Sequence, residues 1–462
     1  MAQGDQVKGI DKRNEESTEN LDAWEKCEDC REGQTAIHKA GEKYLPRLSG
    51  QSDKEFNAYK RRAVFYGAMS RTVDAFAGMV MRVPPTVDNT APLLDDVNGC
   101  GDSLFEFTGD ILEDILVKGF GGVLVEHTPH IGDVKTRAQY EDLGLRPYLT
   151  RFSAKSIINW KQYKGVFTQV ILKEEESITV SEFESSERDL WRVLDIDEAG
   201  SYRQRKFIQD DKKKDIFIQD GDDIYPTKNG SRLREIPFYF FGDYECLPPL
   251  IDLADLNISH YMMEADLANG RHYAGIPQPW VAGVQLAAGE KLSIGGTSAW
   301  VFSDPQAKAE YLEFTGQGLA SLEKGIETKE KQMAALGARM LSDTVVAETA
   351  TGAGIRASGE FSVLAQLSGN ISKVLSRACS FMLDWAGGGS VNIKLNTDYL
   401  PAKMTPQELQ SLVGAWQSGA ISSQTFFYNL QQGEIIAQDM DFETEQEYIK
   451  EAGPALAAIT GA

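Results

Sequence analysis

Apolar residues recur at mixed three- and four-residue steps in three long stretches of the chain. In the first, Leu250, Leu253, Leu256, Tyr261, Ala265 and Ala268 predict a helix of about six turns, closed by glycines at 270–275 ahead of Pro277. In the second, Leu319, Leu322, Ile326, Met333, Leu336 and Met340 form a stripe in which Lys329 occupies a slot an apolar residue would fill; Gly325 and Gly337 weaken it. The third is the clearest. Leu364, Leu367, Ile371, Val374, Ala378, Phe381 and Trp385 alternate without a break until Gly387-Gly388-Gly389. A helix of some 29 residues there would reach roughly 45 Å, longer than ordinary packing needs. A coiled-coil seam reads the same way.

Between and around these stretches the pattern changes. Residues 1 to about 34 are polar, with Leu21 and Trp24 as the large apolar exceptions, and read as a mobile extension carrying one short helix. Ser52 and Asp53 can cap a helix with Glu55 in its first turn, running through Phe56, Tyr59, Ala63 and Tyr66; a related segment reaches Met81 before Pro84-Pro85. A helix is predicted over 104–117. The glycines of Gly119-Phe120-Gly121-Gly122 precede a strand at 123–125, the wrong order for a phosphate-cradling loop, so they read as a structural turn. Short β-branched and aromatic runs at 166–172, 178–183, 190–196 and 216–218, with turn signals Asp220-Gly221 and Asn229-Gly230, predict an antiparallel meander over about 148–240. Residues 276–315 are compact and strand-like, whereas 342–354 are small, β-branched and loop-like. A short strand at 391–395 and a tail opened by Thr405-Pro406-Gln407-Glu408 complete an α+β chain with long helices and antiparallel β insertions.

Composition adds a constraint. The 462 residues carry a formal charge of −22. A protein that grips nucleic acid needs a basic face, and this balance argues against one, although it allows a surface past which DNA slides. The five cysteines are odd in number and mostly isolated, which implies no disulfide framework. No apolar run is long enough to span a membrane, and the N-terminus lacks a signal-peptide core. Cys27, Cys30 and His38 offer three zinc ligands without a fourth, and chance placement explains them better. Neither a Walker glycine–lysine motif nor a G-x-S-x-G elbow occurs. No catalysis, cofactor or metal is expected.

The order helix, small β insert, helix, weak loop, long helix, helical tail resembles that of phage portal proteins. Local words match one portal-like group, catalogued as the domain of unknown function DUF4055. They are residues 44–50 (YLPRLSG), 71–74 (RTVD) with 78–80 (GMV), 255–261 (DLNISHY) followed by 272–277 (HYAGIP), and 348–350 (ETA) with 355–360 (IRASGE). The resemblance covers roughly 41–455 and rests on the order of the words, each weak alone.

What it implies is a portal fold with wing, stem, clip and crown. A polar extension would occupy 1–40, the wing 41–247, the first stem helix 248–275, the clip 276–315, the second stem helix 316–341, a tunnel loop 342–356, the long wing helix and strand 357–400, and the crown 401–462. Such subunits close a ring, usually of twelve copies, at one capsid vertex, through which double-stranded DNA passes without sequence specificity. The implied partners are other copies of the chain, the terminase large subunit, head-completion, adaptor or tail proteins, and the major capsid protein and scaffold. The expected location is the virion, with the host cytoplasm during assembly. Twelve copies would carry roughly −264 charges, so part of the channel wall is expected to repel DNA.

The resemblance places Thr344, Val345 and Val346 near the ring axis, with Glu348 and Arg356 at the loop base; a plain surface loop is the blander reading. Lys324, Lys329 and Lys331 could form basic bands facing phosphates, or simply a helix surface in which Glu327 and Lys331 pair. Trp280, Trp300, Phe302 and Tyr311 suggest a docking surface on the clip, or the small core of that insert. Two rival classes stay open: an enzyme whose site is assembled from scattered Asp and Glu, and a self-associating adaptor unrelated to DNA.

Overall fold

The computed structural model describes residues 6–128, 139, 142–210, 212–275, 278–283, 306–312, 317–336, 350–397, 406–432, 435–436 and 440–451. Of these described residues, helices account for 46% and strands for 24%, a mixed α+β content. Several of its helices start where a side chain caps them. Ser103 precedes α6 (Leu104–Lys118), just as Ser52 precedes α4 (Asp53–Arg62). In both, the serine hydroxyl accepts from the amide three residues on, and Glu106 or Glu55 reaches back to the serine amide. These reciprocal bonds satisfy donors that a helix start leaves open. Gly119 ends α6 in the left-handed conformation, φ 74°, that glycine adopts without strain.

The N-terminal segment corrects the sequence reading. It is no mobile extension: α1 (Glu15–Glu19), α2 (Leu21–Glu32) and α3 (Gln34–Ala40) are built into the core. Trp24, Cys27 and Cys30 lie on one face of α2 and, with Ile37, are fully buried. Trp24 stacks on Phe120 at 6.2 Å between ring centroids. Asn20 Nδ2 donates to the Tyr244 carbonyl at 2.8 Å, and Arg13 donates to the carbonyls of Ala154, Lys155 and Ile157. The apolar stripe of α2 is one tryptophan and two small thiols, so its hydrophobicity is low on average yet concentrated where the core needs it.

Between α4 and α6, helix α5 (Ala68–Met81) is followed by the two-residue strand β2 (Thr86–Val87). A three-stranded antiparallel sheet backs these helices. Its centre is β3 (Phe120–His127), with β4 (Pro147–Ser153) on one side and β12 (Phe238–Gly242) on the other. Beside it lies a six-stranded antiparallel sheet in the order β1-β9-β8-β7-β6-β5. Its strands are β1 (Gln6–Val7), β5 (Ile157–Tyr163), β6 (Val166–Ser181), β7 (Glu184–Ile196), β8 (Tyr202–Gln209) and β9 (Phe217–Gln219). The runs expected separately at 166–172 and 178–183 are one strand, β6, which turns at 182–183 into β7. Asn229 and Gly230 both take positive φ, 50° and 76°, the geometry of a tight hairpin between β10 (Thr227–Lys228) and β11 (Ser231–Arg232).

Ion pairs join the layers. Arg192 on β7 bridges Glu126 of β3 and Glu174 of β6, the latter at 2.7 Å, and Thr150 Oγ1 donates to Glu126 at 2.8 Å. Glu28 of α2 meets Lys155 at 2.5 Å and Lys118 at 3.1 Å. Burial alone would raise the Glu28 pKa, but the two lysines outweigh it and hold the carboxyl below its ordinary range.

Candidate functional site

Two of the predicted helices form an antiparallel pair. Helix α7 (Ile251–Ala274) and helix α8 (Gln317–Ala335) run past each other with Gly270 against Leu319, Gly325 against Met263, and His260 near Glu330. A Cβ on Gly325 would lie 2.2 Å from Met263 Cε, and one on Gly270 2.6 Å from Leu319 Cδ2. The glycine that weakens α8 by propensity is thus the point where its partner sinks in. Arg271 and Glu323 pair at 2.8 Å on the outside.

Among the described residues, the hairpin is anchored in the body at one end. Leu253, Ala254, Asn257, Ile258 and Tyr261 of α7 are buried in the body. Tyr59 donates to Asp266 at 2.6 Å, and Asn257 Nδ2 donates to the Tyr66 carbonyl at 2.7 Å. Further along, Arg271 and Tyr273 are exposed, and on α8 only Ile326 and Met333 are buried among the described residues. Beyond this end lies a two-stranded antiparallel ribbon, β13 (Gln278–Ala282) with β14 (Lys308–Leu312), pairing Trp280 with Glu310 and Pro279 with Tyr311.

Trp280 is on β13 with 37% of its surface exposed. Tyr311 is on β14, while Trp300 and Phe302, with the strands expected around 292–302, lie outside the described residues. Lys324 and Lys331 are exposed on α8 and Lys329 is half-buried. No ion pair joins Glu327 to Lys331. Thr344, Val345, Val346 and Glu348 lie outside the described residues. Arg356 is not at a loop base: helix α9 runs Ala350–Trp385, so the expected loop 342–356 gives its last seven positions to the helix. At 1.5 Å per residue, its 36 residues span roughly 54 Å. Weak local propensity across 350–356 is overridden by continuation of the helix behind it.

Helix α9 packs its C-terminal part against β12, β3 and α6, and a serine ladder binds the strand that follows. Ser372, Ser376 and Ser380 lie four residues apart, and their hydroxyls accept the amides of Leu395, Ile393 and Val391 at 3.0, 2.9 and 3.0 Å. On its other edge this segment pairs through β15 (Ile393–Lys394) with β2. The tail contains α10 (Pro406–Gln417), α11 (Ser423–Gln432) and α12 (Phe442–Glu451).

The three potential zinc ligands are used by the fold. Cys27 and Cys30 face the core, where burial pushes the Cys27 thiol up to about 12, and His38 Nε2 contacts the Ala63 carbonyl at 3.2 Å. Among the described residues no three His, Cys, Asp or Glu side chains cluster as a metal site would require, and no helix is long and apolar enough to cross a membrane. Sequence reasoning missed an open groove of about 600 Å³, lined by Tyr239, Arg377, Phe381, Asp384, Ser390 and Val391. Nothing in the local pattern marks it, because its walls come from segments over a hundred residues apart.

The family described as "Domain of unknown function (DUF4055)" matches residues 249–386, from just before α7 to just past α9. The resemblance to that family read from the sequence therefore holds over the helix–ribbon–helix unit and the long helix. No curated protein matches the chain. Among solved structures, the chain is similar to one from the "Virion of native gene transfer agent (GTA) particle", at 13% identity, covering 85% of this chain and 97% of that one, TM-score 0.39. It is also similar to one from the "Neck of native GTA particle computed with C12 symmetry", at 12% identity, 85% and 97% coverage, TM-score 0.33. A third is an HK97 family phage portal protein from Corynebacterium diphtheriae, at 12% identity, 71% and 93% coverage, TM-score 0.31.

Proposed function

We propose that the chain is the subunit of a phage portal: a cyclic homo-oligomer, expected to be dodecameric, set at one capsid vertex as the channel for DNA packaging and ejection. In this reading α7 and α8 are the stem, the β13–β14 ribbon belongs to the clip, and α9 is the long wing helix. Residues 342–349 approach the DNA. The ribbon end, with Trp280, receives the terminase and later the head-completion or tail proteins. Lys324, Lys329 and Lys331 guide phosphates within a largely acidic channel. The role is structural rather than catalytic.

The observation that carries this reading is the α7–α8 hairpin. It is rooted in the body at one end and tipped by a β ribbon at the other, and its outer faces are exposed over the segment that matches DUF4055. Side-by-side packing of such hairpins from neighbouring copies would cover those faces and enclose a hole, since a repeated heterologous contact closes when its rotation divides the circle. Mass photometry and class-averaged images of the purified full chain test it. A ring of about twelve copies with a hole wide enough for a duplex is expected; a compact monomer at all concentrations overturns it. Deleting residues 342–349, which spares α9, should leave the ring intact and impair DNA packaging; normal packaging would overturn the tunnel-loop assignment.

A further inference from the structure

The β6–β7 hairpin outruns its sheet. Strand β8 leaves β7 at the Leu190–Ile208 pair, and β5 leaves β6 at the Ile157–Leu172 pair. From Glu175–Asp189 to Ser181–Glu184 only two strands remain among the described residues, an arm about 20 Å long at the usual rise per residue. Isolated two-stranded ribbons are marginal in water. This one nevertheless carries exposed Ile178 and Val180, and at its tip Phe183, 92% exposed, between the exposed carboxylates of Glu182 and Glu184. An aromatic ring presented on an arm in this way points to a partner that covers it.

The groove beside the end of α9 has the complementary chemistry. Its walls include the Tyr239 and Phe381 rings, and the exposed Arg377 guanidinium lies 5.1 Å over Tyr239. Lys228 sits 5.4 Å over Phe381 and is paired with Asp384, the carboxylate in the lining. Arg377 has no ion pair among the described residues, which leaves one cation unmatched in an aromatic-walled recess of about 600 Å³.

We infer that the Glu182-Phe183-Glu184 tip of one copy docks into the Tyr239–Arg377–Phe381 groove of a second copy. Phe183 fills the recess between the two rings, and a flanking carboxylate meets Arg377. Two different patches on one chain form a heterologous contact, which propagates around a ring. The inference deepens the ring reading, because the arm becomes the link between neighbours at the level of the body, away from the hairpin.

The test is made on the full chain, with p-benzoylphenylalanine in place of Phe183. Irradiation should join this position to a peptide containing Arg377 and Phe381 in another copy; a crosslink elsewhere, or none, overturns the inference. In parallel, Phe183→Ala and Arg377→Glu should each raise the concentration of half-assembly at least tenfold by mass photometry, with unchanged thermal melting. Glu182→Arg with Glu184→Arg should restore assembly in the Arg377→Glu background. Rings that form as in the wild type despite Phe183→Ala sink the arm contact and leave the ring reading standing. The mapped crosslink in assemblies that never close does the reverse. A chain that stays monomeric defeats both.

Discussion

At the scale of single residues, the two glycines at the head of β3 are space for aromatic rings. A Cβ on Gly121 would come within 2.2 Å of the Phe241 ring and 3.0 Å of the Phe152 carbonyl, and one on Gly122 within 2.3 Å of Phe238. Phe241 is fully buried, so it has nowhere to go. Gly121→Ala should therefore cost roughly 1–3 kcal/mol by overpacking, read as a lower denaturant midpoint with an unchanged slope. The sequence reads these glycines as a turn ahead of a strand, whereas both are paired within β3, and it does not say what fills the room they leave; Phe238 and Phe241 arrive from a strand more than a hundred residues later. Glu106 gives a second residue-level expectation. Bonds from the Ser103 amide and hydroxyl hold its pKa below the ordinary 4.5. A depressed carboxylate pKa contributes stability that is present above 4.5 and lost as pH falls through the lower folded value. The protection factor of the Ser103 amide, its exchange rate relative to an unstructured amide at the same pH, should fall on acidification below pH 4.5, and Ser103→Ala should flatten that response.

At the scale of elements, legibility followed locality. Capping boxes and three-four stripes are written within a few turns, so the start of α4, and α6, α7 and the body of α9, can be read directly. The end of α4 cannot, since the helix expected to run through Ala63 and Tyr66 stops at Arg62, where Ala63 turns extended. The start of α9 could not, since small and β-branched residues at 350–356 lack the propensity that would announce a helix. The α7–α8 contact was half-legible: Gly325 stood out as a flaw in the stripe, whereas its complement Met263 belongs to another helix. That contact makes a prediction against intuition. The atom facing Gly325 is the far end of a flexible methionine, which can swing aside, and alanine gains about 1 kcal/mol of helix propensity over glycine. Gly325→Ala should change stability by less than about 1 kcal/mol in chemical denaturation, although a built Cβ looks like a severe clash. Of the candidate site, Trp280 and the three lysines could be picked out by residue type, but the groove at Tyr239 and Arg377 depends on tertiary assembly and left no local mark.

At the scale of the whole molecule, the polar start of the chain is structural. Trp24 is fully buried against Phe120, and removing such a ring from a core costs about 3–5 kcal/mol. Trp24→Ala should lower the thermal midpoint markedly, and a chain beginning at residue 41 should be insoluble or fail to melt cooperatively; a soluble, cooperatively folded truncation would contradict the packing described here. The arrangement also sets an order of events during synthesis. Strand β1 finds its partner only at Phe217–Ile218, and α2 is pinned by Lys26 to Asp255 at 2.5 Å and by Cys30 to the Ala254 carbonyl. This segment therefore completes its packing only once Asp255 has been translated, some 230 residues after Lys26, although Phe120, the ring against Trp24, is made earlier. Nascent chains of this protein should depend on chaperones through that interval, and stalling translation before residue 255 should leave them open to proteases at the N-terminal helices.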